Sequence, residues 1–320
     1  MNQPLVSVVM LSWNRRDDLR ISLGHVFETD YPTIEVIVVD NHSTDGTLEM
    51  LGEEYPAVTV ISLAENIGIA GWNKGFEIAK GEYILVLDDD SYPVRSALST
   101  GMARIVQAPE CGVLAMQVFN MHRQSVQTSS LVPGNNTTFV GCGAILRADM
   151  LKTVGMFEPL LFLYMHETEF TMRVIDKGFT VMYEPAAVVY HISSPSHRRI
   201  GGDSGIDSRR QYFLARNLCI ALVLHFSVTR LIFRLPRIAA GRIIFGLKYR
   251  CSASITRGIG SFFRNVPIII QKRLVVSERT QRMYNYGSFA GGFFFSDGAN
   301  NISRPEWLKS RRFRKTKRAQ

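Results

Sequence analysis

The chain has 320 residues, 46% of them hydrophobic, enough to bury one large core or two smaller ones. Residues 1–197 hold 12 Lys/Arg against 23 Asp/Glu, a net of −11, while residues 198–320 hold 25 against 5, a net of +20. That asymmetry predicts two functional regions, the second facing an anionic partner, either nucleic acid or a membrane surface. Cys111, Cys142, Cys219 and Cys251 have no CxxC spacing and sit among apolar neighbours. This argues against a disulfide framework or zinc site and for reduced, partly buried thiols. The apolar run at residues 5–12 is too short for a signal peptide, so a cytoplasmic location is expected.

Residues 5–91 alternate short apolar runs with helical patterns. Strands are predicted at 5–11, 34–39, 58–63 and 83–87, with helices between them at 17–27, 44–51 and 70–79. Such alternation predicts an α/β fold: a Rossmann-like, mostly parallel central sheet with helices on both faces. Further strands are expected at 113–119 and 139–146. A helix over 167–177 should end at Gly178, followed by strands at 179–183 and 187–190 that close on His191. The Ser-, Gly- and Arg-rich stretch 193–207 reads as a mobile loop.

After Arg209 the texture changes, and the chain is expected to divide into regions 1–217 and 218–320, the latter a helical, basic C-terminal extension. Residues 218–229 contain no Lys or Arg, but these 12 residues fall short of the ~20 needed to span a bilayer. Arg230, Arg234 and Arg237 then recur at helical spacing among Leu231, Ile232, Phe233, Leu235 and Ile238, and Pro236 and Gly241 are expected to interrupt the helix. Two readings fit: an amphipathic helix in a membrane interface, or a helix packed on the N-terminal region with solvated arginines. The polybasic tail 311–318 reads as disordered and suits anionic lipid.

The chemistry concentrates where predicted strands end. The strand 83–87 stops at Asp88-Asp89-Asp90. Three adjacent carboxylates repel one another and need a cation or strong donors, and hard oxygen ligands suit Mg²⁺ or Mn²⁺. A polar turn capping the strand is the structural alternative. Ser12-Trp13-Asn14-Arg15 follows the first strand and Asp40-Asn41-His42-Ser43-Thr44-Asp45-Gly46-Thr47 the second. In a parallel sheet these ends share one edge, where ligands bind. A base, a ribose and a metal-bound diphosphate need such a layout, with Asp40 accepting from a pyrimidine imide N–H.

The string Val6-Ser7-Val8-Val9-Met10-Leu11-Ser12-Trp13-Asn14-Arg15 resembles the opening motif of family 2 glycosyltransferases with the GT-A fold. Val38-Val39-Asp40 through Thr47 is similar to that family's second motif, and Asn66-Ile67-Gly68, Asn73-Lys74-Gly75 and 81–90 to the stretch leading into its metal-binding DxD. The resemblance continues through Gly155-Met156-Phe157 and 164–173 to Val188-Val189-Tyr190-His191, and includes bacterial rhamnosyltransferase-like enzymes of polysaccharide assembly. It implies a nucleotide-sugar site made by Ser12, Asn14, Arg15, Asp40, Asn66, Asn73, Asp88 and Asp89, with Asp90 and His191 holding a divalent cation, Mg²⁺ or Mn²⁺. The family's Glu-Asp pair stands here as His166-Glu167, so Glu167 would be the general base, with Glu169 two residues on. Arg210 to Asn217 resembles a Tyr-x-x-x-Arg-Asn segment of members acting on polyprenyl-linked sugars, which implies that Tyr212 and Arg216 meet acceptor or diphosphate.

The expected activity is inverting, metal-dependent transfer of a hexosyl or rhamnosyl group from a nucleotide-diphosphate sugar to a saccharide hydroxyl, plausible acceptors being lipid-linked, in cell-surface polysaccharide synthesis. The enzyme would lie peripherally on the inner face of the cell membrane. A nucleotidyltransferase of related fold usually carries a Gly-rich loop after its first strand, and residues 12–16 contain no glycine. A dinucleotide oxidoreductase would need GxGxxG there, which is absent. A basic nucleic-acid-binding protein is disfavoured, because aromatic and basic residues are not interleaved and the first half is acidic.

Overall fold

The computed structural model describes residues 3–128, 131–132, 134–193 and 207–284. Its first half alternates β1 (Val6–Ser12), α1 (Arg16–Phe27), β2 (Ile34–Asp40), α2 (Thr47–Glu54), β3 (Thr59–Ser62), α3 (Gly71–Ile78) and β4 (Tyr83–Asp88). Next come β5 (Ser91–Pro93), α4 (Ala97–Val106), β6 (Cys111–Asn120), β7 (Ser125–Val126), β8 (Gly134–Asn136), β9 (Ala144–Arg147), α5 (Met150–Val154), α6 (His166–Asp176) and β10 (Thr180–His191). One sheet runs β3-β2-β1-β4-β9-β6-β10-β5, with β7 on β6 and β8 on β10. Its longest ladders are parallel, while β9 joins β4 to β6 antiparallel.

Alternation along β1 sends successive side chains to opposite faces. Val6, Val8 and Met10 enter a core with Leu19 and Leu23 of α1 and Met102 and Ile105 of α4. Val9 enters a second core with Trp72 and Phe76 of α3, Phe157, and Phe170 of α6. Helices therefore cover both faces, as the alternation predicts. The apolar β1 and β4 runs are buried on both sides for this reason.

Two boundaries differ from expectation and a third agrees. The predicted strand 139–146 pairs only from Ala144, because the chain turns at Gly141-Cys142-Gly143, where the Gly143 N–H donates to the Val140 carbonyl (3.1 Å). The two strands at 179–183 and 187–190 are one strand, β10, whose register shifts between Glu184 and Val188. Pro185 lies in that shift, and proline has no N–H for a ladder. Helix α6 ends as predicted, with Gly178 at φ +89° and a Schellman pair of bonds, Gly178 N–H to Ile175 and Phe179 N–H to Val174.

The C-terminal helices are α7 (Ser208–His225), α8 (Val228–Lys248), α9 (Ser252–Gln271) and α10 (Glu278–Met283). The expected division at 217/218 falls inside α7, which runs through it because Leu214, Leu218 and Leu222 form one buried stripe against Met165 and Met172. Pro236 and Gly241 do not interrupt α8. Leu231, Leu235 and Ile238 pack on α7, and that packing outweighs the hydrogen bond that Pro236 removes. The opposite side of α8 is bare: Ile232, Phe233, Ile243, Ile244 and Leu247 are each at least half exposed. No helix among the described residues is long and apolar enough to cross a membrane. Within the stretch expected to be a mobile loop, residues 194–206 lie outside the described residues, as does the basic tail 311–318.

Candidate active site

Register places the three polar clusters side by side. Strands β2, β1 and β4 are neighbours, Ser12 pairs with Asp40, and Leu11 pairs with Asp88. The loops after β1 and β2 are sewn together: Asn14 N–H donates to Ser43 Oγ (2.9 Å), Thr44 N–H to Asn14 Oδ1 (2.7 Å), and Arg16 N–H to Asp45 (2.9 Å). Asn14 thus shapes the cleft through its own backbone at φ +52°, a conformation asparagine tolerates better than most residues.

Asp40 is fully buried. Its Oδ2 accepts the Ser43 N–H (3.1 Å), while Oδ1 has no partner, and neither has the buried Ser12 hydroxyl beside it. A buried carboxylate oxygen left unpaired costs free energy, so the site is built for a donor the protein does not supply.

Asp89 and Asp90 are buried, and Asp88 is partly so. Burial, then the Asp90 charge, pushes the Asp88 carboxyl up to about 6. Burial likewise drives Asp89 well above the usual range. Burial opposes ionisation of Asp90 too, but His191 and Arg15 outweigh it and hold this carboxyl well below the ordinary carboxylate range. The Arg15 guanidinium pairs with Asp90 and lies 3.6 Å from Asp89, while the Trp13 N–H donates to Asp89 (3.0 Å). Asp89 therefore anchors the β1 loop rather than lining open space.

His191, at the end of β10, approaches Asp90 Oδ1 through Nε2 (3.2 Å), and its Nδ1 meets Gln127 Oε1 (2.9 Å). With Gln127 accepting from Nδ1–H, the Nε2 lone pair is left for a metal, the usual outer-shell arrangement for a histidine ligand. Donor atoms of Asp90 and His191 about 3 Å apart suit adjacent positions on an octahedral ion with ~2.1 Å bonds. Burial and the neighbouring carboxylates raise Asp88 and Asp89, and an added cation would relieve that crowding and favour their ionised forms. The residues fit a divalent cation. Gln127 carried no signal in the sequence, because only the fold brings it to His191.

Helix α6 delivers Glu167 to the same cleft. The turn before it is strained, with Phe162, Tyr164 and Met165 at φ +54°, +66° and +71°. Such backbone persists only where neighbours fix it. Asn217 of α7 does so, donating its amide to the carbonyls of Leu161 (2.7 Å), Leu163 (2.7 Å) and Tyr164 (3.0 Å). Asn217 closes the Tyr-x-x-x-Arg-Asn motif, where attention falls more naturally on Tyr212 and Arg216. Glu167 is 23% exposed by side chain and touches the Gly141 N–H at 3.3 Å. His166 before it is buried between Trp72 and Phe157, and burial pushes its pKa down, so the ring packs as a neutral aromatic.

Five expected site residues are engaged in contacts within the protein. Glu169 is 1% exposed: its Oε1 meets His225 Nε2 (2.7 Å) and Arg173 Nε (2.8 Å), and its Oε2 meets Arg173 Nη2 (2.8 Å). That carboxylate is saturated and closed to an acceptor. Asn73 is bonded on both sides of its amide to the Phe157 backbone, at 2.8 and 3.0 Å, and ties α3 to the loop before α6. Asn66 Oδ1 accepts from Asn41 (3.1 Å) and Gly68 N–H (2.9 Å), shaping the loop at 66–68. Tyr212 packs edge-on against Phe213, and Arg216 donates to Asn217 (3.0 Å), both on α7 behind the turn.

A parallel nucleotide-binding half joined through one antiparallel strand to a second half, with aspartates at the joint, is the architecture of GT-A glycosyltransferases. Solved structures share it. The mannosyltransferase PcManGT from Pyrobaculum calidifontis, in complex with GDP-Man and Mn²⁺, superposes with a TM-score of 0.57 at 18% identity, covering 94% of this chain and 84% of its own. S. aureus TarS 1-349 in complex with UDP-GlcNAc gives 0.60 at 18% identity, covering 92% and 88%. The family model Glycosyl transferase family 2 matches residues 7–155, and this stretch is a family 2 glycosyltransferase domain. TuaG of Bacillus subtilis, named for teichuronic acid biosynthesis, is 40% identical over 93 residues, 28% of this chain and 36% of that protein. The E. coli UDP-Glc:alpha-D-GlcNAc-diphosphoundecaprenol beta-1,3-glucosyltransferase WfaP is 33% identical over 98 residues, 30% of this chain and 39% of that protein. The chain thus matches under half the length of these two relatives.

Proposed function

We propose that this chain is a metal-dependent, inverting glycosyltransferase that moves a hexosyl or rhamnosyl group from a nucleotide-diphosphate sugar to a hydroxyl of a lipid-linked saccharide, in cell-surface polysaccharide synthesis. The observation that carries the reading is the convergence on one sheet edge of the unpaired Asp40 oxygen, the Asp90–His191 pair and Glu167. Asp40 Oδ1 accepts an N–H of the base. Asp90 and His191 would hold the divalent cation, which when bound offsets charge on the leaving diphosphate. Arg15 is placed to meet phosphate oxygens once the cation takes over Asp90. Glu167 removes the proton from the acceptor hydroxyl, whose oxygen bonds to the anomeric carbon as the bond to the diphosphate breaks on the opposite face.

The lipid-linked acceptor and a peripheral position on the inner membrane face rest on the bare side of α8, continued by Phe263 (64% exposed) and Ile270 (59%) of α9. Exposed Arg237, Lys248, Arg257 and Arg264 accompany these residues, as expected for a helix pair lying in an anionic interface. WfaP, whose name gives it a diphosphoundecaprenol-linked acceptor, agrees with this reading. The test is a thermal-shift panel of UDP, GDP and dTDP and their sugars, with and without Mn²⁺. Stabilisation by one nucleotide set that needs Mn²⁺, and that Asp90→Ala abolishes, is expected. Stabilisation that survives Asp90→Ala unchanged would remove the metal from the reading.

A further inference from the structure

Cys142 has no role in the scheme above, yet it stands at its centre. The β4–β9 pairing ends at Val86↔Ala144, and Cys142 lies in the turn that precedes β9, as Asp88 ends β4. The thiol, an Asp88 carboxylate oxygen and a His191 ring nitrogen lie within 4.8 Å of one another. Metal–ligand bonds of about 2.0–2.5 Å place ligand atoms on one ion at most about 4–5 Å apart, so a single cation can touch all three. His191 is shared between this group and Asp90, and Gln127 aims its ring. Cys142 itself is 2% exposed, between Gly141 and Gly143, whose small size lets the chain turn beside His166, Glu167 and Val189.

We infer that Cys142 is an inner ligand of the divalent cation and sets its identity, favouring Mn²⁺, Co²⁺ or Zn²⁺ over Mg²⁺. The inference rests on the metal reading of Asp90 and His191 and deepens it. Carboxylate and imidazole donors accept Mg²⁺ and Mn²⁺ alike, whereas a sulfur donor discriminates against the harder ion. On binding, sulfur forms its bond to the metal as its proton leaves to solvent, with no change of oxidation state. Cys111, Cys219 and Cys251 are equally buried but belong to no such cluster among the described residues, so position and not residue type singles out Cys142.

Co²⁺ alone, titrated into the full-length protein, tests this without reference to turnover. Equilibrium dialysis counts bound ion, and near-ultraviolet absorption reports a thiolate-to-cobalt charge-transfer band. Wild type should bind one Co²⁺ with the band. Cys142→Ser should bind Co²⁺ without it, and its preference for Mn²⁺ over Mg²⁺ should fall by roughly tenfold or more. A melting curve for Cys142→Ser, with Cys142→Ala as a second variant, identifies any loss that is only misfolding. Stoichiometric Co²⁺ binding by wild type without the band overturns the Cys142 inference and leaves the metal site standing. Absence of Co²⁺ and Mn²⁺ binding overturns both. A band that persists in both variants assigns the thiolate to another cysteine and overturns the inference.

Discussion

Glu169 and His225 meet at 2.7 Å, carboxylate Oε1 to imidazole Nε2, with both side chains buried at the seam between α6 and α7. Arg173 completes the group and gives two further donors to the carbonyls of Val154 (2.6 Å) and Met156 (2.7 Å). The cluster joins α6, the loop beneath it and the C-terminal bundle.

Acid should loosen that joint. Burial alone would raise the Glu169 carboxyl, but Arg173 and His225 outweigh it and bring it from 4.5 down to about 2. A carboxyl depressed in the folded state contributes stability that is complete above its unfolded value and is lost as pH falls through its folded value. The contribution, on the order of 3 kcal/mol, should disappear between about pH 4.5 and about pH 2. Urea unfolding of wild type and Glu169→Gln across that window checks it. The variant should be weaker at neutral pH and show a flatter decline. Parallel decline of the two proteins would mean that the cluster contributes no pH dependence.

Glu167→Gln should bind donor nucleotide as wild type does and transfer ~10²–10⁴-fold more slowly, the usual effect of losing a general base. Glu169→Gln offers the contrast: its losses should follow stability rather than appear in kcat at full folding. Normal turnover by Glu167→Gln would move the base elsewhere.

Gly68 sits at φ +64°, and a Cβ there would lie 2.0 Å from the Phe162 carbonyl oxygen, which accepts the Ile69 N–H at 2.8 Å. Gly68→Ala should destabilise the fold by about 1–3 kcal/mol or displace the turn before α6, with transfer falling either way. Gly24→Ala in α1, where a Cβ meets nothing within 4 Å, is the matched control and should be neutral or stabilising by up to about 1 kcal/mol. Equal effects at the two positions would contradict the close-approach argument.

Leu247→Asp together with Ile244→Asp should weaken sedimentation with anionic liposomes while leaving the melting temperature in place, because both side chains are more than 60% exposed. High salt should release part of the wild-type protein by screening its arginines and lysines. Liposome binding unchanged by both treatments would locate the contact elsewhere.

The parallel half was legible because β1, β2 and β4 are buried apolar runs ending in polar residues, and Asp40 and Asp88 stand where the pattern puts them. Adjacency of β2, β1 and β4 was not legible, since nothing in a single chain fixes strand order. Glu167 and Glu169 are two positions apart, about 200° around a helix of 3.6 residues per turn, so one faces the cleft and the other the bundle. Reading along the chain treats them as near equivalents. Asn73 and Asn66 look like ligand-binding amides until their partners, Phe157 and Asn41, are visible. Cys142 and Gln127 meet His191 from separate loops, and no spacing rule connects them.

The three bonds from Asn217 make α7 and the turn before α6 a single mechanical piece. A tilt of the bundle cannot be absorbed at a soft hinge between the two, because the carbonyls of Leu161, Leu163 and Tyr164 are gripped by a side chain on the bundle itself. A change that shifts α7 at Asn217 therefore also shifts the carbonyls that hold the turn leading into Glu167.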